Sequence, residues 1–264
     1  GLSADVTTID PHHLPSQPNL TVGYHIFDAL VHVDERARII PGLATSWRTL
    51  DPVTWEFKLR PGVKFHDGSE LTAEDVVFSL DRPPTVKGGG FGSYVAMIKS
   101  KEVIDKLTLR IVTRAPYGAL AEELNSVMIV SKKYAATAMP EDFDAGRATI
   151  GTGPYKFVRW TRGDRVELAR FDGYWDKNRI PHVDRMVLLP MTLARVDTWR
   201  RCISVPRRNS SDEPTGAAKR TIENANSPMT APPPQAPSAR ANPPAGCASG
   251  TPADRRPRHG PARR

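Results

Sequence analysis

The chain has 264 residues, 37 Lys and Arg against 29 Asp and Glu, a net charge of +8 and 39% hydrophobic residues. Residues 201–264 hold 11 Lys and Arg against 4 Asp and Glu, a net of +7, so residues 1–200 carry only 8 − 7 = +1. The near-cancelled charge of the first 200 residues excludes a nucleic-acid or anionic-surface reading for that part, and no apolar run approaches the ~18 residues of a membrane span.

Gly1 opens directly on Leu2-Ser3-Ala4-Asp5, with no initiator Met and no basic-then-apolar leader. The expectation is a mature or cut start and a chain that lacks a signal peptide. All aromatic residues lie before residue 201 and both cysteines, Cys202 and Cys247, after it. The first 200 residues are long enough for one or two packed domains.

Thr54–Arg60 alternates apolar and polar residues and predicts a half-buried strand. Pro61-Gly62 turns the chain, and Val63, Phe65 and Asp67-Gly68 predict a hairpin region. Thr72-Ala73-Glu74-Asp75 is a helix-start signature in which the Thr72 hydroxyl accepts an orphan N–H. The helix turns Val76, Val77 and Leu80 inward, and Pro83-Pro84 ends it. Leu107–Ile111 predicts a second strand. Pro116 to Asn125 predicts a helix with Leu120 and Leu124 on one face, and Ser131 a cap for a helix over Lys132–Ala138. Gly151-Thr152-Gly153-Pro154 reads as a tight turn between strands. Val166, Leu168 and Phe171 continue strand alternation, and Val183–Leu189 reads as a more buried strand. Strands and helices are mixed, so the class is α/β or α+β.

Catalytic and metal patterns are weak. His12-His13 are adjacent, and His25 and His32 are seven apart with no third ligand at helical spacing. Converging ligands are what a metal requires, so these are read as structural or exposed histidines. No G-x-S-x-G nucleophile turn occurs, and Gly151-Thr152-Gly153 lacks the Lys-Ser/Thr ending of a phosphate loop. The acids at Asp67, Glu70, Glu74 and Asp75 do not match a twelve-residue Ca²⁺ loop. Trp47, Trp55, Trp160 and Trp175 lack a flanking basic stripe and read as core. No cofactor is implied.

The order of segments goes further. Ile40-Pro41-Gly42-Leu43-Ala44-Thr45-Ser46-Trp47 precedes Trp55 to Gly68; then come Leu71–Ser79, Ile150–Tyr155 and Phe171-Asp172-Gly173-Tyr174-Trp175, with Asp10-Pro11-His12 near the start. Together these resemble the family 5 extracellular solute-binding proteins of ABC importers, the dipeptide- and oligopeptide-binding type, over residues 1–197. The resemblance implies a non-enzymatic, periplasmic-binding-protein-like α/β fold (type II, peptide-binding subclass), here incomplete, with the second lobe missing. It implies residues 1–35 as the first segment of domain I, 36–149 as domain II, an α/β insertion, and 150–200 as the second segment of domain I. The implied ligand is a peptide or, in some branches, nickel, haem or an opine. The implied partner is a membrane permease, with no nucleic acid, a periplasmic or cell-surface location and a monomeric complete protein. Alignment to the family pattern puts Leu14, Pro15, Ser16 and Gln17 at the edge of the cleft and brings Gly92, Ser93 and Tyr94 toward it from domain II.

After Asp197 the resemblance ends. Ala, Gly, Pro, Arg and Ser make up 43 of the last 64 residues, and no Phe, Trp or Tyr occurs among them. Such a composition cannot build a core, so residues 201–264 are expected to be a disordered basic tail. An abrupt switch of this kind is what an out-of-frame reading of a GC-rich gene yields. A truncated chain of this sort is not expected to bind peptide measurably by itself. The alternatives are a basic-tailed binder of nucleic acid or anionic surfaces, and a structural remnant without binding function.

Overall fold

The computed structural model describes residues 1–191, and the expectations for the tail at 201–264 lie outside them. Gly1–Leu193 forms one compact unit. In chain order its elements are α1 (Gln17–Ile26), β1 (Val31–Val33), β2 (Ile39–Pro41), β3 (Ala44–Asp51), β4 (Thr54–Leu59), α2 (Ala73–Asp81), β5 (Ile98–Asp105), β6 (Thr108–Thr113), α3 (Leu120–Leu124), α4 (Lys132–Ala135), α5 (Pro140–Asp144), β7 (Tyr155–Thr161), β8 (Arg165–Arg170) and β9 (Arg185–Leu188). Short 3-10 turns occupy Pro83–Thr85 and Phe91–Val95. Three antiparallel sheets result: the hairpin β1-β2, a four-stranded sheet in the order β3-β4-β6-β5, and a three-stranded sheet in the order β7-β8-β9.

Two apolar cores hold the unit. In the first, Phe57, Leu109 and Ile111 of the four-stranded sheet pack with Val76 and Leu80 of α2 and Leu120 and Leu124 of α3. The second joins Leu2, Val6 and Ile9, α1 through Val22 and Ile26, Phe143 of α5, and Tyr155, Val166 and Leu168 of β7 and β8. Residues 127–130 run between them. Val127 and Ile129 enter the first core and Met128 and Val130 the second, the two-residue alternation of extended backbone. The Ile129 N–H donates to the Asp28 carbonyl at 2.8 Å, so the two crossings between cores are tied side by side.

The start of α2 is a capping box between Thr72 and Asp75: the Thr72 side chain faces the Asp75 N–H, while the Thr72 hydroxyl and N–H donate to Asp75 Oδ2 at 2.7 and 3.0 Å. Asp75 Oδ1 accepts the Lys132 N–H at 3.0 Å, so one carboxylate serves the first turns of both α2 and α4. Ser131 makes no side-chain cap bond. α4 stops at Ala135, not Ala138, because Pro140 holds Met139 in extended backbone (φ −84°, ψ 163°). α3 begins at Leu120 rather than Pro116, with a turn at Gly118-Ala119 before it. β9 is not the buried strand expected: it sits at the edge of its sheet, and Val183 and Val187 are about half exposed. Gly151 is more than a turn residue. A Cβ there would lie 2.0 Å from the Ile26 carbonyl oxygen, so only glycine lets this segment seat against the end of α1.

Candidate functional site

The structure brings the two strips named from the sequence together. Leu14, Pro15 and Gln17 are exposed and Ser16 half-buried at the start of α1; Ser93 is exposed and Gly92 and Tyr94 half-buried in the 3-10 turn. The Gly90 N–H donates to the His13 carbonyl at 2.6 Å. A Cβ on Gly90 would lie 2.7 Å from Pro15 Cδ, so this approach requires glycine. Tyr94 stacks at a tilt on Phe91, centroids 5.6 Å apart, and buried Phe91 lies 6.5 Å from the His12 ring. The two strips are thus linked through Gly90, two residues before Gly92, which meets His13 and Pro15.

Beneath that link lies a closed polar network. Arg82, just past the end of α2, donates through both Nη atoms to Asp10 Oδ1 and Oδ2, each at 2.7 Å, and both side chains are buried. The His12 N–H donates to Asp10 Oδ1 at 2.9 Å. Arg82 Nη1 also lies 3.3 Å from His12 Nδ1, and His12 Nε2 lies 2.7 Å from the Met128 carbonyl. Since Arg82 can only donate, Nδ1 accepts and Nε2–H donates, which is the neutral imidazole. Burial first, and the Arg82 charge second, lower the His12 pKa to about 4. Every polar atom named here has a partner, and the loop carrying residues 13–17 is anchored to α2 by it.

A second buried acid is partnered differently. Asp28, at the end of α1, accepts from Thr152 Oγ1 at 3.0 Å and Trp175 Nε1 at 2.9 Å on Oδ2, and from the Tyr174 hydroxyl at 3.4 Å on Oδ1. His32 Nε2 stands 3.6 Å from Oδ1 and has no hydrogen-bond partner. Burial raises the Asp28 pKa and lowers that of His32. This cluster borders a cavity of about 900 Å³ that also touches Tyr24, Asn125 and Arg179. Tyr24 reaches toward the first site: burial, then its neighbour Tyr94, raises its phenol pKa.

The sequence reading missed Arg82, Asp28 and Tyr24. Arg82 was legible only as the residue before the Pro83-Pro84 stop. Among the described residues no group of three or more His, Cys, Asp or Glu is placed to hold a metal ion, and no helix is long and apolar enough to cross a membrane. The arrangement offers hydrogen bonds, an aromatic face and a cavity: equipment for holding a solute.

The fold is that of the periplasmic-binding-protein type, as its likeness to a solved peptide-binding protein shows. Residues 38–198 match the model of the bacterial extracellular solute-binding proteins, family 5. The chain belongs to that family, whose members are non-enzymatic transport binding proteins. It is 32% identical over 189 residues to the glutathione-binding protein GsiB of Pectobacterium atrosepticum, covering 70% of this chain and 36% of that protein. It is 34% identical over 174 residues to the dipeptide-binding protein of Escherichia coli, covering 56% of this chain and 32% of that protein. The oligopeptide-binding protein AppA of Bacillus subtilis, solved with a nonapeptide, superposes with a TM-score of 0.68 at 26% identity, over 76% of this chain and 41% of that one. The chain thus spans about a third of the length of these curated relatives.

Proposed function

We propose that this chain supplies one wall of the peptide-binding cleft of an ABC importer's extracytoplasmic solute-binding protein. The observation that carries the reading is the contact of His13 and Pro15 with Gly90, which lies two residues before the Gly92–Tyr94 strip. The names of the relatives, a glutathione-binding and a dipeptide-binding protein, support a short peptide as ligand. The division into 1–35, 36–149 and 150–200 belongs to the same proposal; the two apolar cores support a discontinuous first domain, but the chain crosses between them near residues 28 and 128, so residues 130–148 pack with the first domain's core.

Such a wall recognises a peptide by main-chain hydrogen bonds at the exposed loop 14–17 and by contact with the Tyr94 ring. A single wall makes only part of a clamshell's contacts. Half of a micromolar site's ~8 kcal/mol leaves millimolar affinity. Titration of the 264-residue chain with tripeptides should therefore be silent by calorimetry at micromolar concentration yet shift the amides of residues 14–17 and 92–94 at millimolar concentration. Shifts confined to other regions would refute the reading.

A further inference from the structure

Gly88, Gly89 and Gly90 stand between α2 and the Gly92–Tyr94 strip. A run of glycines ordinarily means slack. Here both ends of the connection are fixed. At its start Arg82 is forked onto Asp10, and the Arg82 carbonyl accepts the Thr85 N–H at 2.9 Å and the Thr85 hydroxyl at 2.8 Å. At its end the Gly89 N–H donates to the Val86 carbonyl at 3.0 Å, and the Gly90 N–H to the His13 carbonyl at 2.6 Å. A Cβ on Gly89 would lie 3.1 Å from the His12 carbonyl oxygen, and Phe91 is buried beside the His12 ring. Residues 82–91 therefore lie along residues 10–15 as a spacer of fixed length.

Gly90 is where this spacer meets the Leu14–Gln17 strip. Its backbone (φ −103°, ψ −4°) is one that residues with side chains adopt in type I turns, so glycine is not needed there for conformational freedom. It is needed for space. A Cβ at this position would lie 2.7 Å from Pro15 Cδ and 3.1 Å from Pro15 Cγ. A proline ring closes on its own backbone nitrogen and cannot swing aside, so the loop itself would have to retreat. The loop is held on its other side as well. The Leu14 carbonyl accepts from Asn19 Nδ2 at 3.2 Å, and buried Asn19 also takes the Thr7 N–H at 3.0 Å. A retreat of most of an ångström must strain one of these bonds or the Gly90–His13 bond.

We propose that Gly90 is a positioning residue of the peptide-binding wall: its missing side chain lets Pro15 close on the spacer, and that contact sets the distance between the Leu14–Gln17 and Gly92–Tyr94 strips. This role rests on the peptide reading of the two strips and supplies what holds them in register. Gly90 acts through Pro15 rather than on the ligand.

The experiment is a residue-resolved amide titration of the full chain with trialanine, on wild type, Gly90→Ala and the paired Gly90→Ala, Pro15→Ala variant. A dissociation constant read from the shifts of the folded species is independent of the folded fraction, so a merely structural loss would leave it unchanged. Gly90→Ala should weaken trialanine about tenfold at both strips, since strips out of register lose their preformed geometry. Alanine at position 15 lacks Cγ and Cδ, the two atoms in the way, so the paired variant should recover most of the loss. Gly118→Ala, where a Cβ meets nothing within 4 Å, should bind as wild type does. A Gly90→Ala variant that binds as wild type does, an equal loss in Gly118→Ala, or a paired variant no better than Gly90→Ala overturns the positioning role while the peptide reading stands. If Gly90→Ala does not fold, the paired variant decides: folding with near-wild-type affinity upholds the role, and failure to fold or to bind overturns it. No shift at either strip in wild type overturns the peptide reading and the positioning role with it.

Discussion

Two buried acids, Asp10 and Asp28, sit in one compact unit and are handled in opposite ways. Asp10 receives a full guanidinium fork from Arg82 and a backbone N–H, and the adjoining His12 has a partner on each ring nitrogen. Asp28 receives only neutral donors, and the imidazole next to it is left without a hydrogen bond beside a cavity. The first network is complete, so it can only hold shape. The second leaves the buried His32 Nε2 without a hydrogen bond.

The largest effect should come from breaking the complete network. Arg82→Leu leaves Asp10 buried without its counter-charge and should cost about 3–5 kcal/mol in denaturant unfolding, with Asp10→Asn similar. The combined Asp10→Asn, Arg82→Leu variant should recover much of that loss. If either single variant costs less than about 1 kcal/mol, the network is not the anchor described.

Acid should act next. Burial holds His12 and His66 at about 4, against an ordinary value of 6.5. Between those values the unfolded chain binds protons that the folded chain does not. Each histidine's contribution is therefore fully present above about pH 6.5 and lost as pH falls toward 4, by about 3 kcal/mol. His66→Gln, whose amide can still donate to the Gly153 carbonyl as His66 Nε2 does at 2.9 Å, should flatten the stability profile over this window. An unchanged profile would show that His66 titrates normally.

The contrasting acid should matter far less. In Asp28→Asn the amide oxygen still accepts from Thr152 and Trp175, and the amide nitrogen faces the Tyr174 hydroxyl, which can accept. A loss under about 1.5 kcal/mol is expected, since the exchanged hydrogen bonds are neutral ones. A loss as large as that of Asp10→Asn would erase the distinction between the two sites.

Smallest of all should be the loss of an exposed arginine from the ion-pair clusters of the sheets. Glu56 pairs with Arg48 and Arg110 across the four-stranded sheet, and Glu167 pairs with Arg159 and Arg185 across the three-stranded one. Arg48→Ala leaves Glu56 with Arg110, so thermal unfolding should register less than about 1 kcal/mol.

Legibility in the sequence followed the same division. Elements with one wet face announced themselves: β4 and β6 through alternation, α2 through the Thr72 and Asp75 pair, its end through Pro83-Pro84. Segments buried on both sides did not. Residues 127–130 are apolar throughout because alternate side chains enter different cores, so no period shows. α1 carries Gly23 and Pro18, with Pro15 just before it, and its helix is supported by packing rather than by propensity. The strips at 14–17 and 92–94 were legible only through family resemblance. Arg82 stands 72 residues from Asp10, and no local pattern joins them.

The most direct test of the ligand-binding edge is a millimolar tripeptide titration comparing wild type with Tyr94→Ala, followed by amide shifts. Tyr94 lies on the ring contact with Phe91, outside the Asp10–Arg82 network, so the variant should fold. Saturating shifts at residues 14–17 and 92–94 in wild type, lost at 14–17 in Tyr94→Ala, are the result expected if the two strips hold one ligand. Shifts at 14–17 that persist unchanged in the variant would contradict a shared site, and shifts at neither strip would contradict the binding edge altogether.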